Sequence, residues 1–240
     1  AISNLFLEPL PANAVPPLGD AELLLRVRAV GLNFRDVLNV LGEYPGDPGP
    51  PGGDSAGVVD EAALLPRSTF GISHAPLASV AIAATPFLAN KPSTLLFEQA
   101  CTLPVTWSTT HAAVERAGLC AGHAMIVQAA AGGVGLKAVE YAQWLHASTV
   151  GTAGRPHKHA QLRATGVGAV CSSRDGAALT MGMTQHMAAA RSHAVLNSLS
   201  LDFIAASFAS LAEGGAFEEI GKRGIWASDR HHASSKTTSY

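Results

Sequence analysis

The segment from Ile126 to Gln143, which reads IVQAAAGGVGLKAVEYAQ, has the residue types and spacing of an anion-binding turn. Ile126 and Val127 are typical of a buried strand, and apolar residues recur at helical spacing after the glycines. A strand, a tight turn and a helix direct unpaired N–H groups and the positive helix end toward one point, which suits a pyrophosphate. The predicted contacts are Ala130, Gly132, Gly133, Val134 and Gly135.

The dinucleotide-binding fingerprint G-x-G-x-x-G is only partly met, because its first position is Ala130. We interpret Ala130-x-Gly132-x-x-Gly135 as a variant that keeps the glycines for close approach and helix packing and accepts a methyl group at the first position. A turn that serves packing alone fits these residues equally well.

Two basic residues follow the next predicted strand, which ends near Thr152. A free ribose hydroxyl would be bound by an acidic residue there, but the sequence offers Arg155 and Lys158. This pair would suit a 2′-phosphate, so the pattern favours NADPH over NADH and places Thr152, Arg155 and Lys158 among the cofactor-binding residues. A solvated basic loop is the alternative.

The elements that must position these residues form two predicted parts. Residues 1–118 are typical of short strands with Gly/Pro turns, whereas residues 119–227 alternate strand and helix. This alternation predicts an α/β fold with a Rossmann-like, doubly wound parallel sheet. The polar tail, 228–240, is expected to be loosely ordered. The predicted strands of the second part are 125–129, 148–152, 168–171, 193–197 and 216–220.

Composition narrows the class of protein. The 240 residues are 48% hydrophobic and 14% charged, with a net charge of −2 and no basic cluster, so nucleic-acid binding is not expected. No apolar run is long enough to cross a membrane, and we expect a soluble, cytoplasmic protein. The three scattered cysteines are expected to be reduced core thiols and no metal site is predicted, while His231 and His232 lie in a segment typical of the surface.

A longer series of segments then points to one family. In order, they read RAVGLNFRDVLNVLGEYPG, GGDSAGVV, FEQACTLPVTWSTTHAAV, AAAGGVGLKAVEYAQWL, SSRD, VLNSL and GGAFEEIGKRGIW. The series resembles the enoyl reductase domain of modular polyketide synthases and animal-type fatty acid synthases, in the zinc-free, quinone-oxidoreductase-like branch of the medium-chain dehydrogenase/reductase superfamily. The resemblance covers most of residues 20–227.

The resemblance implies an activity and a second fold element. Such domains transfer a hydride from NADPH to an α,β-unsaturated acyl thioester carried on an acyl carrier protein, without zinc. Residues 1–118 would be a mostly β, GroES-like substrate domain. The implied partners are the carrier protein and other synthase domains, and a homodimer through the parent synthase is compatible with this family.

The resemblance also implies roles for residues of the first part and of the helix that follows it. Asn33, Phe34 and Arg35 match the loop near the nicotinamide, where an amide and an aromatic ring could orient the nicotinamide. Tyr44 matches a position linked to protonation of the α-carbon, and Thr109 matches one near the nicotinamide and phosphates. Packing or an ordinary helix hydroxyl is the alternative for each.

In relatives, a Lys after the second strand and an Asp after the third are the proposed proton-delivering pair, which Lys158 and Asp175 match here. Since a bound phosphate would make Lys158 a poorer acid, cofactor binding is favoured for it. Arg174 would pair with Asp175 or reach the adenosine end. Asn197 would face the cofactor from the fourth strand, with helix capping as the alternative.

Two departures from the family leave the function open. The segment DEAALLPRSTFG is short and is expected to lack one strand of the substrate half, and the chain stops before the sixth sheet strand of relatives, as a truncated domain would. The favoured function is a working enoyl reductase. The alternatives are a stand-alone quinone or enone reductase, and a degenerate, non-catalytic nucleotide-binding or structural domain.

Overall fold

The computed structural model describes residues 7–11, 16–59, 66–186, 191–200, 202–222, 224–234 and 237–239. Its contacts divide the chain into two compact units, Ala1–Trp107 and Ser108–Tyr240. The domain boundaries drawn from the sequence stay predictions. Among the described residues, the helices are all too short or too polar to cross a membrane.

The first unit is built on an antiparallel sheet of five strands in the order β4-β1-β2-β3-β5. The strands are β1 (Glu22–Gly31), β2 (Asp54–Val59), β3 (Arg67–Ile72), β4 (Val80–Ala84) and β5 (Leu88–Asn90). Among the described residues of this unit, helices α1 (Phe34–Leu41) and α2 (Phe97–Ala100) accompany the strands, with a 3-10 turn at Thr85–Phe87. A mostly β first part is therefore confirmed.

Strand β3 corrects one expectation. The segment DEAALLPRSTFG, which was expected to lack a strand, supplies all of β3 except its last residue, Ile72. This strand pairs with β2 along its whole length, from Asp54 opposite Ile72 to Val59 opposite Arg67. Gly71 permits the pairing of β3 with β5, because a Cβ there would lie 2.0 Å from the carbonyl oxygen of Phe87. The strand is not evident from the sequence, because its buried positions are Thr69 and Gly71, whereas the apolar Phe70 and Ile72 are half-buried.

The second unit is a parallel sheet of five strands in the order β10-β9-β6-β7-β8. The strands are β6 (Ala124–Val127), β7 (Ser148–Ala153), β8 (Ala169–Ser172), β9 (Ser192–Asn197) and β10 (Leu211–Glu219). The helices are α3 (Pro104–Arg116), which contains the division between the units, α4 (Gly133–Trp144), α5 (Pro156–Ala164), α6 (Gly176–His186), α7 (Asp202–Ala209) and α8 (Ser228–Ser234). The predicted α/β fold with a parallel sheet is confirmed.

Helices cover both faces of this sheet. Successive strand residues point to opposite sides, so each face presents its own set of buried side chains to the helices. Met125 and Val127 pack with α4 and α5 in one buried cluster, whereas Ile126 packs with α6 and α7 in the other. The chain runs from β6 outward to β8 and then crosses to β9 on the other side of β6. This reversal places the crevice typical of ligand binding at the carboxyl ends of β6 and β9.

Three sequence-based expectations about exposure and order are wrong. Residues 228–234 form helix α8, and His231 is only 2% exposed because it packs against the rings of Phe208, Phe217 and Trp226. Cys101 and Cys171 are buried as expected, but Cys120 is exposed, with Sγ 3.3 Å from Nε2 of His123.

Candidate active site

The turn after β6 has the geometry that the sequence predicts for an anion site. The first intrahelical bond of α4 runs from the Leu136 N–H to the Gly132 carbonyl, 2.9 Å away, so the N–H groups of residues 133–135 precede it. Gly135 is required for packing, because a Cβ there would lie 2.6 Å from both the Ala129 carbonyl oxygen and the Ala130 Cα. Gly132 and Gly133 are exposed at the mouth of the turn.

Ala130 replaces the first glycine of the fingerprint because the neighbouring strand makes room for its methyl group. Ala130 is fully buried, and its N–H donates to the Thr152 carbonyl over 2.9 Å. A Cβ at Gly151 would lie 3.0 Å from the Ala130 Cβ. The glycine that the turn lacks is therefore offset by a glycine in β7.

Thr152 supports this turn from beneath, being itself fully buried. Its Oγ1 accepts the Ala129 N–H over 2.9 Å and donates to Oε1 of Gln128 over 2.8 Å. Ala129 adopts a left-handed conformation with φ of 48°, which costs a non-glycine residue about 1–2 kcal/mol. The hydroxyl of Thr152 is thus committed to holding a strained backbone.

Three cationic side chains lie at the carboxyl ends of β7 and β8. Arg155 is the N-cap residue of α5 and is exposed, Lys158 lies in the first turn of that helix and is half-buried, and Arg174 follows β8. Arg174 lies over Gly154, where a Cβ would be 2.7 Å from its Nε. Within the described part of the chain, none of the three side chains forms a hydrogen bond or ion pair.

Asp175 is at the start of α6, where its Oδ1 accepts the Ala178 N–H over 3.0 Å. This bond makes it the helix cap. Among the described residues it forms no ion pair with Lys158 or with Arg174, so the structure does not assemble the pairs that the sequence suggested. A proton-delivering role for Lys158 and Asp175 stays a prediction.

Asn197 ends β9 and is fully buried. Its Nδ2 donates to the Leu199 carbonyl over 2.7 Å and to Oε2 of Glu219 over 2.8 Å, which fixes the carboxamide. The Asn197 Oδ1 and the Ser198 Oγ are buried without a hydrogen-bond partner among the described residues. These two buried polar atoms at the crevice edge can therefore form hydrogen bonds to a group from outside the described chain.

Helix α3 contacts the start of α4 through Thr110, a residue that was not predicted from the sequence. Thr110 is fully buried and its hydroxyl donates to the Val134 carbonyl over 3.4 Å, whereas the predicted Thr109 is half-buried beside it. Thr109 is the more accessible of these two residues, and Thr110 has a packing role.

In the first unit, Asn33 is held by two acidic residues. Its N–H donates to Oδ2 of Asp36 over 2.8 Å at the start of α1, and its Nδ2 donates to Oδ2 of Asp54 over 3.1 Å. The other oxygen of Asp54 accepts the Val105 N–H at the start of α3, over 2.9 Å. Burial raises the pKa of Asp54 to about 6, against the lowering by these two hydrogen bonds.

Arg35 of α1 holds the loop that contains Tyr44 through hydrogen bonds to backbone carbonyls. Arg35 donates from Nη1 to the Pro48 carbonyl over 3.2 Å and from Nη2 to the carbonyls of Pro50 and Gly52. Tyr44 itself is half-buried in this loop. Arg35 is therefore an organiser of the Pro/Gly loop, which sequence reasoning did not separate from its neighbours in the NFRD segment.

The structure brings together the predicted residues of the second unit at one edge of the parallel sheet. The turn follows β6, Arg155 and Lys158 follow β7, Arg174 follows β8 and Asn197 ends β9. Asp54, Gln128 and Ser207 were not predicted; the acidic residue in GGDSAG was the only sequence signal for any of them. No group of three or more His, Cys, Asp or Glu side chains suited to a metal occurs within the described ranges.

Comparisons with known proteins agree on one kind of relative. No family model matches the chain. The chain is 39% identical over 233 residues to the spectinabilin polyketide synthase system protein NorB of Streptomyces orinoci. That match covers 93% of this chain and 10% of the relative, so the chain spans about a tenth of the length of that curated protein.

Solved structures give the same picture at the level of the fold. The chain is similar to CurK enoyl reductase with a TM-score of 0.89 and 31% identity, covering 100% of this chain and 76% of that one. It is also similar to the quinone oxidoreductase of Thermus thermophilus, solved alone and in complex with NADPH, with a TM-score of 0.78, 28% identity and coverage of 98% and 75%.

Proposed function

The chain belongs to the enoyl reductases of modular polyketide synthases, within the medium-chain dehydrogenase/reductase superfamily, and we propose that it reduces an α,β-unsaturated acyl thioester with NADPH. The observation that carries this proposal is the cluster of three cations, Arg155, Lys158 and Arg174, on the same sheet edge as the glycine turn. Unpaired cations beside free backbone N–H groups form a site for a polyphosphate.

The residues of the second unit fit a nicotinamide dinucleotide. The N–H groups of residues 133–135 would bind the pyrophosphate, and the Asn197 Oδ1 is a buried acceptor without a partner among the described residues, which an amide or hydroxyl donor of the cofactor would satisfy. When bound, the cofactor supplies a hydride to the β-carbon of the substrate, and a proton completes the reduction at the α-carbon.

The choice of NADPH rests on charge. Arg155 is the N-cap residue of α5 and Lys158 lies in its first turn, so the positive end of the helix adds to their charge. Arg174 adds a third cation over Gly154. A 2′-phosphate would add an anion to this cationic sheet edge, whereas a free ribose hydroxyl would not. The solved NADPH complex of the Thermus quinone oxidoreductase supports the same cofactor class.

In the first unit, Asn33 is the residue we assign to orienting the nicotinamide, and its carboxamide is fixed by Asp54. We assign donation of the proton to the α-carbon to Tyr44. Lys158 lies in the cationic cluster, where a bound phosphate would make Lys158 a poorer acid. Asp175 acts as a helix cap in this assignment.

The substrate proposal rests on family membership. The curated relative is a multidomain polyketide synthase, so the substrate proposed here is an acyl thioester on an acyl carrier protein, with neighbouring synthase domains as partners. A quinone or enone reductase remains the competing function, supported by the Thermus structure.

The test is NADPH oxidation by the purified chain with crotonyl-pantetheine and then with a crotonyl group on a carrier protein. The proposal expects turnover of both, with a higher kcat/KM for the carrier-bound substrate. Turnover of a quinone in place of either thioester would support the competing function. NADPH binding without any turnover would support a non-catalytic domain.

A further inference from the structure

A line of buried polar side chains runs beneath the glycine turn. Gln128 is 2% exposed, and Thr152 and Ser207 are fully buried. The Gln128 Nε2 donates to the Ser207 Oγ over 2.5 Å, and its Oε1 accepts the Thr152 hydroxyl over 2.8 Å. The line begins on α7, passes under the end of β6 and ends at the backbone of the turn.

Each hydrogen bond of this line donates away from the turn and toward α7. The backbone N–H of Ala129 donates to the Thr152 Oγ1 over 2.9 Å, and the Thr152 hydroxyl donates in turn to the Gln128 Oε1. This leaves the Gln128 amide nitrogen facing Ser207. The carboxamide therefore has one orientation, and it fixes the hydroxyl rotor of Thr152.

The group held by this line is a strained backbone. Ala129 has a φ of 48°, and a non-glycine residue keeps such a conformation when its surroundings over-determine it. The Ala129 carbonyl in turn accepts the Gly132 N–H over 2.8 Å, which sets the direction in which α4 begins. The pose of Ala129 therefore decides where the N–H groups of residues 133–135 point.

We propose that Gln128 and Ser207 are positioning residues for nucleotide binding, which hold Ala129 in its left-handed conformation through the Thr152 hydroxyl. Neither residue reaches the cofactor in this proposal, which rests on the proposed function. Their effect is to pre-organise the turn, so that its ordering does not weaken the affinity for NADPH.

The experiment is a double-mutant cycle that combines Gln128→Leu with Ala129→Gly. In the wild-type background, Gln128→Leu should raise the Kd for NADPH about tenfold, because a buried hydroxyl loses its acceptor and the turn loses its support. In the Ala129→Gly background, the same change should raise it less than about twofold, because glycine adopts a positive φ without strain. Ser207→Ala should follow the same pattern with a smaller effect.

A general loss of stability would give a different result, since it would not depend on the residue at position 129. All titrations are therefore made well below the melting temperature of each variant. Equal effects of Gln128→Leu in the two backgrounds, or an unchanged Kd in the first, would overturn the inference.

A second measurement needs no cofactor. Gln128→Leu should speed hydrogen exchange of the Ala129 amide in the free protein about tenfold, because its acceptor is no longer fixed. Unchanged exchange would also overturn the inference. A wild-type chain that fails to bind NADPH would overturn the proposed function, and exchange would then decide by itself whether Gln128 holds the turn.

Discussion

We propose that single residues distinguish the two nicotinamide cofactors by their charge. Arg155 and Lys158 approach the end of β7 from α5, and Arg174 approaches it from the loop after β8. The sequence separates Arg174 from the other two by a strand and a helix, so its position over Gly154 follows only from the fold. We expect specificity to lie in this cluster and affinity for the pyrophosphate to lie in the turn.

Replacing Arg155 and Lys158 together with Ala should therefore weaken NADPH much more than NADH. The expected loss is about tenfold or more in the Kd of NADPH and under about threefold for NADH, because only the former has a 2′-phosphate to pair. Fluorescence titration of both cofactors measures this. Arg163→Ala, at the opposite end of the same helix, is the control, and equal losses for both cofactors would contradict the assignment.

Asp54 carries a second prediction at this scale. Its pKa rises from 3.8 to about 6 in the folded protein, mainly through burial. Between these values the folded state binds more protons than the unfolded state, so this group's contribution to the free energy of unfolding falls as the pH rises from about 4 to about 6. Asp54→Asn should flatten that fall.

The measurement is urea unfolding across this pH window, with Asp20→Asn as the control for loss of one exposed carboxylate. Asn keeps an acceptor for the Val105 N–H, so the variant should still fold. A fall of the same slope in wild type and Asp54→Asn would show that Asp54 titrates as it does in the unfolded chain.

At the scale of elements, the β6–α4 turn and strand β7 are matched in volume. The Ala130 methyl occupies space that Gly151 leaves free, so the variant fingerprint and the strand glycine form one packing unit. Changes at the two positions should therefore couple, as contacting core residues usually do.

Gly151→Ala should lower the free energy of unfolding by about 1–3 kcal/mol, because its Cβ would lie 3.0 Å from the Ala130 Cβ in a packed core. Ala130→Gly in the same chain should restore part of the loss, with a coupling of at least about 0.5 kcal/mol. Chemical unfolding of the four members of the cycle measures it. Gly176→Ala, which meets no atom within 4 Å, is the control, and additive effects would refute the pairing.

At the scale of the whole second unit, the last described residues bond to β10 and pack against the core. The Phe217 N–H donates to the Ser239 carbonyl over 2.9 Å, and α8 places His231 among Phe208, Phe217 and Trp226. Arg230 stacks over Trp226 with its guanidinium carbon 4.1 Å from the ring centre. A tail that looks polar in sequence is therefore part of the packed unit.

Burial, with the neighbouring charges of His232 and Arg230, lowers the pKa of His231 below its ordinary value of 6.5. As the pH falls below about 6.5 the unfolded chain gains this proton first, so the contribution of His231 to stability is lost on acidification. The effect opposes that of Asp54 over part of the same range. His231→Phe should reduce the acid loss.

Melting temperatures between pH 5.5 and 7.5 would measure this, and His157→Phe, at an exposed histidine, is the control. His231→Phe also retains an aromatic ring for the cluster, so folding should survive. A melting curve with the wild-type pH dependence would refute the role of His231.

From the sequence alone we predicted the fold class, the alternation of strand and helix in the second unit and a turn that suits a pyrophosphate. These follow from local information: apolar periodicity, glycine placement and the position of Arg155 and Lys158 after a strand. The same local information failed at β3 and at α8, where pairing with β2 and packing against an aromatic cluster override weak or polar patterns.

The contacts between residues that are distant in the chain follow only from the fold. Gln128 and Ser207 are 79 positions apart, and neither belongs to a motif. Their contact, the reach of Arg174 to Gly154 and the space that Gly151 leaves for Ala130 all depend on the order in which parallel strands lie side by side. That order is set by burial of both sheet faces, which no short segment encodes.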